Sequence, residues 1–305
     1  MSLKNSKFKN NIRLQQISNN KSYMKRGERN KEAVILIQEA LVALDYFLPR
    51  STLSNGGMDG DYGKETTQKI KLFQCNNHLY ADGIMGKNTL TKLDELLSSI
   101  SPSPAPTPST GKSVILTFDD GPAPTAALSN ILTILRRNNI RAEFYLLGRE
   151  VNKNQRAAKS IVNQGHVVQN HSWSHINLAT ASESRVYSEL KRTQDIILSA
   201  TGVVPTKVRP PYGAGGWKSH PDWELSKVTK NLSLKLENWD IDTEDWKRPA
   251  GLGANKLANI KKQLESHRNQ ENLNVLMHVK SSTVRDLPHF IYKLKQWGYS
   301  FADPI

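Results

Sequence analysis

The sequence places two adjacent aspartates, Asp119 and Asp120, shortly after the apolar run Val114–Leu116. That run is short, β-branched and followed by Gly121-Pro122, a pattern that predicts a buried strand ending at a turn. Two carboxylates this close resist being ionised together unless a cation or an arginine compensates one of them. Taken alone, such a pair more commonly belongs to a solvated loop or a helix cap. The rest of the chain has to decide between these interpretations.

A pair of histidines supplies further ligands for a metal ion. His171 and His175 follow the predicted strand 167–169 and stand at positions i and i+4, so both can meet one cation in a helical or turn-like segment. With the Asp120 carboxylate they form a mixed nitrogen and oxygen site suited to Zn²⁺, with Co²⁺ or another divalent ion also fitting. Three protein ligands leave positions open for water and substrate. From residue types alone, a surface histidine pair and an iron oxygenase site remain alternatives.

Later stretches carry groups that would complete an active site. Arg209 can hold a carboxylate through paired hydrogen bonds, and Tyr212 can offer its backbone N–H to a developing oxyanion. Trp246 lies in a carboxylate-rich segment with Asp245, and tryptophan faces are platforms for sugar rings. His278 ends an apolar run and can act as a general acid near neutral pH. Each of these residues, taken singly, is also compatible with a structural turn or a core position.

The elements that must position these groups alternate between strand-like and helix-like segments from residue 113 onward. This alternation predicts parallel β/α units, and the length suits a barrel. In such barrels the catalytic residues gather at the C-terminal ends of several strands. Strands are predicted at 114–118, 142–147, 167–169, 207–209, 233–239, 273–278 and 299–301, and helices at 125–138, 154–164, 182–201, 221–231, 252–267 and 284–297.

Composition divides the chain ahead of the barrel into three parts. Residues 1–30 contain eight basic residues and one acidic residue with few apolar ones, which predicts a flexible basic tail. Residues 31–99 contain three segments with apolar residues at helical spacing, separated by two Asp-Gly turns, which predicts a small all-α domain. Residues 100–112 alternate proline with small residues, which predicts a semi-rigid linker. The barrel domain then covers 113–305.

The barrel segment resembles the NodB-type polysaccharide deacetylases, carbohydrate esterase family 4, so a distorted (β/α) barrel of NodB type is the expected α/β fold. Five stretches carry the resemblance in family order: 117–122, 171–175, 209–213, 240–246 and 276–278. The resemblance implies a general base, a general acid and a metal site. These roles fall on Asp119 as base, on Asp120, His171 and His175 as metal ligands, and on His278 as acid.

The same resemblance implies supporting roles for the neighbouring residues. Arg209 would orient Asp119, Tyr212 would contribute to the oxyanion hole, and Asp245 would tune His278. Trp246 and Leu276 would line the acetyl pocket, and we expect Trp173 to contact the substrate as well. Two positions depart from the family pattern: Glu143, where threonine is usual, and Val279-Lys280, where a small or acidic residue is usual. A carboxylate at position 143 pointing into the barrel would need a partner.

The small all-α segment resembles the three-helix peptidoglycan-binding domain. The resemblance rests on Leu36 and Gln38 and on three runs: Asp59-Gly60-Asp61-Tyr62-Gly63, Phe73-Gln74, and Asp82-Gly83-Ile84-Met85-Gly86-Lys87-Asn88-Thr89. Together the two resemblances imply a metal-dependent deacetylase that hydrolyses the N-acetyl group of N-acetylglucosamine residues in peptidoglycan. The alternatives are a chitin or chitooligosaccharide deacetylase and a catalytically silent protein that binds the cell wall.

The net charge of +14 bears on partners and location. Few aromatic residues lie among the basic residues of the N-terminal segment, so no nucleic acid partner is expected. The positive charge is instead consistent with attraction to an anionic polymer of the cell wall. No apolar run is long enough to span a membrane, and no signal peptide is visible. We expect a monomer that acts on peptidoglycan or a related N-acetylated glycan. We expect it to lie in the cell envelope or outside the cell, and the sequence does not reveal its export route.

Overall fold

The computed structural model describes residues 3–44, 46, 48, 50–53, 57–99, 112–217, 219–248 and 250–304. The chain forms two compact units, Met1–Pro108 and Ser109–Ile305, and the division between them falls inside the predicted linker. Most of that linker, residues 100–111, lies outside the described residues.

The first unit is helical. Apolar residues of its long helices recur every three or four positions and fill one core, as with Val34, Ile37 and Leu41. The three helices expected for the small domain are present, and two short ones precede them. The helices are α1 (Ser6–Lys9), α2 (Ile12–Ser18), α3 (Lys31–Ala43), α4 (Lys64–Asn76) and α5 (Lys87–Ser99).

The prediction of a flexible tail over residues 1–30 is wrong for the described residues from 3 onward. Phe8 and Leu14 are fully buried in the core of the helical unit. The buried Asp94 carboxylate accepts hydrogen bonds from the backbone N–H groups of Lys4 (2.6 Å) and Asn5 (2.8 Å). A few well-spaced apolar residues therefore outweigh the high charge, because the basic side chains remain on the solvent side.

The two Asp-Gly turns are held by matching glutamines. The side-chain amide of Gln38 donates to Asp59 Oδ1 (2.8 Å), and its oxygen accepts from the N–H of the following glycine (3.1 Å). Gln74 repeats both hydrogen bonds with Asp82 (2.8 Å) and the glycine after it (2.8 Å). The internal repeat seen in the sequence is therefore a repeat of buried hydrogen bonds.

The second unit is built on one parallel sheet. Its strands are β1 (Ser113–Gly121), β2 (Glu143–Leu146), β3 (Val167–Asn170), β4 (Lys207–Val208), β7 (Lys235–Leu236), β8 (Ile241–Asp242), β9 (Leu273–His278) and β10 (Ser300–Phe301). Their order in the sheet is β7-β4-β3-β2-β1-β9-β8, and β10 pairs with the start of β1. No pairing joins β7 to β8 in the described part of the chain, so the barrel stays open on that side. A separate antiparallel ribbon joins β5 (Gly216–Trp217) to β6 (His220–Pro221).

Helices follow the strands and cover the sheet. In the first of them, Leu128, Ile131 and Leu135 recur at helical spacing and are buried against the sheet. The helices are α6 (Thr125–Arg137), α7 (Gly148–Lys153), α8 (Gln155–Asn163), α9 (Glu183–Thr201), α10 (Trp223–Asn231), α11 (Ala254–Ser266) and α12 (Ser281–Gln296). The predicted helices are all present, whereas α7, β8 and the β5–β6 ribbon were not predicted.

The sheet brings the polar motifs to a common edge. Strands β1, β3, β4, β8 and β9 are parallel neighbours or near neighbours, so their C-terminal ends point the same way. Each of these ends is followed or formed by one of the motifs singled out in the sequence. The distorted barrel expected from the sequence is therefore the fold, and it gathers the candidate site as barrels do.

Candidate active site

A bulge in β1 directs both aspartates to one cavity. Phe118 pairs with Phe144 and Gly121 with Leu146, so β1 advances three residues where β2 advances two. Neighbouring strand residues normally point to opposite faces, and an extra residue re-aims a side chain. Asp120 sits at the bulge with φ +70°, a conformation that costs energy outside glycine. As a result, both carboxylates line the same cavity of about 390 Å³.

Arg209 fixes the first aspartate. Its guanidinium is fully buried at the end of β4 and donates to Asp119 Oδ1 (2.8 Å) and to Thr117 Oγ1 (2.8 Å). The face of the guanidinium lies over the Tyr145 ring, 4.0 Å from its centroid. Burial raises the pKa of the Asp119 carboxyl, while the charge of Arg209 acts against that rise. Asp119 is therefore an oriented, desolvated carboxylate suited to accepting a proton.

The loop after β3 presents two imidazoles. His171 is buried, and its Nδ1 donates to the Arg209 carbonyl (2.7 Å), which leaves Nε2 with a free lone pair. Burial lowers the pKa of His171 to about 3, so the ring is neutral at physiological pH. The His175 N–H donates to Ser172 Oγ (3.1 Å), and both His175 and Ser172 adopt positive φ. A strained loop is thus held in the shape that aims both rings at Asp120.

These residues fit a divalent cation. Asp120 Oδ1 lies 3.4 Å from His175 Nε2 and 3.7 Å from His171 Nε2, and the three ligand atoms lie within 4.8 Å of one another. Ligand atoms about 2 Å from a tetrahedral ion stand about 3.3 Å apart, close to these separations. Asp120 Oδ1 is also buried without a hydrogen-bond partner among the described residues, which a cation would supply.

His278 faces the aspartates from the neighbouring strand. It pairs with Asp119 in the register of β1 and β9, and its Nδ1 is 2.7 Å from Asp245 Oδ1. Asp245 Oδ2 accepts from the His278 N–H (2.9 Å) and from Thr283 Oγ1 (2.7 Å), so the carboxylate is fixed. Burial opposes the charged imidazole, but the hydrogen bond and charge of Asp245 outweigh it and raise the pKa of His278. The ring nitrogen left for a ligand is Nε2.

The cavity brings together most of the predicted site residues. Trp246 is 47% exposed at its rim, Leu276 is buried in its wall, and the Tyr212 ring packs against His175 at 4.8 Å between centroids. Arg209 and Asp245 do not line the cavity, but they contact it through Asp119 and His278. Trp173 lies outside the lining as well and stacks under Arg192 instead (4.0 Å). The lining residues are Asp119, Asp120, His171, His175, Tyr212, Trp239, Asp242, Trp246, Leu276, His278 and Lys280.

The structure shows the contacts of the residues at the two positions that depart from the family pattern. Glu143 is fully buried and does have partners: it accepts from Tyr145 OH (2.9 Å) and Gln169 Nε2 (2.9 Å), and its Oε1 lies 3.1 Å from Lys207 Nζ. Val279 packs in the apolar core, and the lysine after it lines the cavity. Neither departure displaces a group of the candidate site.

Several residues that shape the site were not predicted. Glu189, buried on α9, accepts from the N–H groups of Trp173 (2.9 Å) and Ser174 (2.7 Å) and so anchors the histidine loop. Thr283 braces Asp245 from α12. Such partners typically fix the orientation of ligands and acids. In the sequence each is an ordinary helix residue, distant from the motif it supports, so only the fold reveals the contact.

Comparisons with known proteins agree with the fold. The polysaccharide deacetylase family model matches residues 107–232, and that of the peptidoglycan binding domain matches residues 30–93. A crystal structure of a mutant of a Bacillus anthracis pseudoenzyme of carbohydrate esterase family 4 is 32% identical, with a TM-score of 0.53 over 65% of this chain and 70% of that chain. The chain therefore belongs to the polysaccharide deacetylases of carbohydrate esterase family 4 and carries a peptidoglycan-binding domain.

Two further relatives are informative. A family 4 carbohydrate esterase from Streptomyces lividans, solved with acetate, is 29% identical over 63% of this chain and 92% of that chain, with a TM-score of 0.53. The peptidoglycan-N-acetylglucosamine deacetylase of Listeria monocytogenes is 35% identical over 68% of this chain. The matched region spans only 41% of the length of that relative.

Proposed function

We propose that this chain is a divalent-metal-dependent deacetylase of N-acetylglucosamine residues in peptidoglycan. The proposal rests on a single observation, the set of groups that line one cavity. These are the desolvated Asp119 carboxylate, the His171 and His175 pair beside an Asp120 oxygen that has no described hydrogen-bond partner, and a third imidazole, His278. This set contains a base, a cation site and an acid, which are the parts that amide hydrolysis needs.

Each residue has a defined task in that reaction. A divalent ion held by Asp120, His171 and His175, with Zn²⁺ favoured, would polarise the acetamide carbonyl and lower the pKa of a water molecule. Asp119 accepts the proton of the water that attacks the carbonyl carbon, and Arg209 keeps its carboxylate aimed. A new C–O bond forms at that carbon.

The remaining groups act on the charge and the leaving group. The backbone N–H of Tyr212 donates a hydrogen bond to the oxyanion that develops on the carbonyl oxygen. His278 gives the Nε2 proton to the amine nitrogen as the C–N bond breaks, and Asp245 stabilises the charged imidazole beforehand. Acetate and a free sugar amine are the products. Leu276 and Trp246 form the wall against which the acetyl group lies.

The choice of polymer follows from the relatives and from the helical unit. The Listeria relative is named for peptidoglycan N-acetylglucosamine, and the first unit carries a peptidoglycan-binding match. We accordingly place the protein in the cell envelope or outside the cell, acting as a monomer on peptidoglycan.

Acetate release tests the proposal. The purified full chain, loaded with Zn²⁺, should release acetate from soluble N-acetylglucosamine oligomers and from sacculi. Mass spectrometry of digested sacculi should find the free amine on glucosamine and not on muramic acid. A chelator should abolish release, and Zn²⁺ or Co²⁺ should restore it. Better turnover of chitin than of sacculi would favour the chitin alternative. Wall binding without acetate release would favour the silent binding protein; the Bacillus anthracis relative is itself described as a pseudoenzyme.

A further inference from the structure

Two cations border the candidate site without a task in the chemistry above. Lys280 lines the main cavity, two residues after His278. A second cavity of about 310 Å³ is lined by Arg149 and shares Asp120 and His175 with the first. The candidate metal ligands thus separate two adjoining cavities. Among the described lining residues, each cavity has one lysine or arginine side chain.

Lys280 has no ion pair among the described residues, and Arg149 has only a long one, to Glu150 in the same cavity. The Nε of Arg149 lies 3.5 Å from Glu150 Oε1, an oxygen that also faces Lys153 Nζ at 3.4 Å. The Arg149 side chain is 47% exposed, and its terminal N–H donors point to no described acceptor. Both groups are therefore available to an anion bound in the cavities.

Peptidoglycan offers anions on both sides of the reacting sugar. Its N-acetylglucosamine residues alternate with sugars that carry lactyl ethers and peptides, and these peptides bear carboxylates. In chitin both neighbours of the reacting sugar are uncharged. A glycan that places its acetamide between the two cavities would bring one neighbouring sugar toward each cation.

We propose that Lys280 and Arg149 are specificity residues that bind carboxylates on the substituents of the sugars flanking the reacting N-acetylglucosamine. This inference rests on the deacetylase function proposed above. It assigns to this chain a preference for acidic over neutral glycans that arises within the catalytic unit itself. The preference is separate from the docking of the helical unit on the wall.

The expected size of the effect is modest. Ion pairs between partly exposed groups are weak, so each cation contributes about two- to fivefold to binding. Arg149 and Lys280 line different cavities, so their effects should multiply, to about tenfold for both. High salt should reduce the preference, because it screens exposed charges.

The test compares acidic and neutral soluble substrates on the full chain. The acidic substrate is a peptidoglycan oligosaccharide that carries its peptides, and the neutral one is a chitooligosaccharide with the same number of sugars. The readout is the ratio of kcat/KM on the acidic substrate to that on the neutral one. The variants are Lys280→Met, Arg149→Met and the double variant, with Lys227→Met as the control. Lys227 is an exposed lysine that pairs with Glu183 outside both cavities.

The ratio should fall about two- to fivefold in each single variant and about tenfold in the double variant. It should stay at the wild-type value in Lys227→Met, and Lys280→Glu should lower it further than Lys280→Met, through repulsion. An unchanged ratio in the double variant, or an equal loss in the control, would overturn the inference. Absence of acetate release from either substrate by the wild-type enzyme would instead contradict the deacetylase proposal, so the two failures are distinguishable.

Discussion

At the scale of single residues, the protonation states of Asp119 and His278 depend on the charged side chains beside them. Asp119 is buried, His278 is partly buried, and the two lie opposite each other on adjacent strands. Each has its own partner: Arg209 donates to the aspartate at 2.8 Å, and Asp245 accepts from the imidazole at 2.7 Å. The arginine favours the ionised carboxylate and the aspartate favours the charged imidazole. Base and acid can therefore coexist in their active forms.

The substitution Asp245→Asn tests the proposed role of His278 as the general acid. His278 must be protonated to act, so activity should fall as pH rises through its pKa, which Asp245 raises. The variant lacks that charge, so the basic limb of the kcat profile should move to lower pH. At neutral pH the rate should fall by up to about 10²-fold, the lower end of a general-acid contribution. The measurement is acetate release across pH, with the exposed Asp195→Asn as control. A basic limb that stays in place would contradict the assignment.

At the scale of secondary-structure elements, a buried charge network ties β2, β3 and β4 together. Glu143 on β2 is contacted by Tyr145 on the same strand, Gln169 on β3 and Lys207 on β4. The Tyr145 ring in turn supports the Arg209 guanidinium. The network therefore links the packing of the strands to the orientation of Asp119, the proposed base.

Glu143→Ala should destabilise the barrel unit by about 3–5 kcal/mol, because it leaves the nearly buried Lys207 ammonium without its partner. Urea unfolding followed by tryptophan fluorescence measures this, since all six tryptophans lie in the second unit. The control is Glu183→Ala, which removes an exposed ion pair with Lys227 and should cost less than about 1 kcal/mol. An equally small loss in Glu143→Ala would show that the network does not hold the strands.

Sequence patterns predicted the long helices and strands and the residues of the motifs. They did not predict very short strands or contacts between residues that are far apart in the sequence. The run Leu273–His278 was predicted at its observed bounds because four of its six residues are apolar and the whole run pairs with β1. The two-residue strand Ile241–Asp242 has no periodicity to detect. Trp173 stands between the two candidate ligands His171 and His175 in sequence, yet the loop conformation turns it to Arg192. Glu189 supports the same loop from another helix.

At the scale of the whole molecule, the chain joins two units with separate cores. In the described residues no helix is long and apolar enough to cross a membrane. The first unit has basic side chains on short N-terminal helices that bury Phe8, Leu14 and Ile17. If that unit docks on the wall, it raises the local concentration of substrate for the barrel without touching the active site.

Removal of the first unit tests whether that unit binds the wall while the barrel alone catalyses deacetylation. A chain that starts at Gly111 should deacetylate soluble N-acetylglucosamine oligomers about as well as the full chain, because the barrel has its own core. It should bind and deacetylate sacculi much less well, because the tether is lost. Sedimentation with sacculi and acetate release measure the two properties. Unchanged binding and turnover of sacculi would contradict a docking role for the helical unit.

The central claim is that adjacent aspartates have different roles, and one paired measurement tests it. Asp119→Asn and Asp120→Asn are purified with Zn²⁺, and bound zinc and acetate release are measured on the same samples. Asp119→Asn should retain zinc at the wild-type ratio and lose about 10²–10⁴-fold in rate, as expected for a lost general base. Asp120→Asn should lose most of the zinc, because its carboxylate is a ligand. Loss of zinc in Asp119→Asn, or full turnover by metal-stripped wild-type enzyme, would contradict the account.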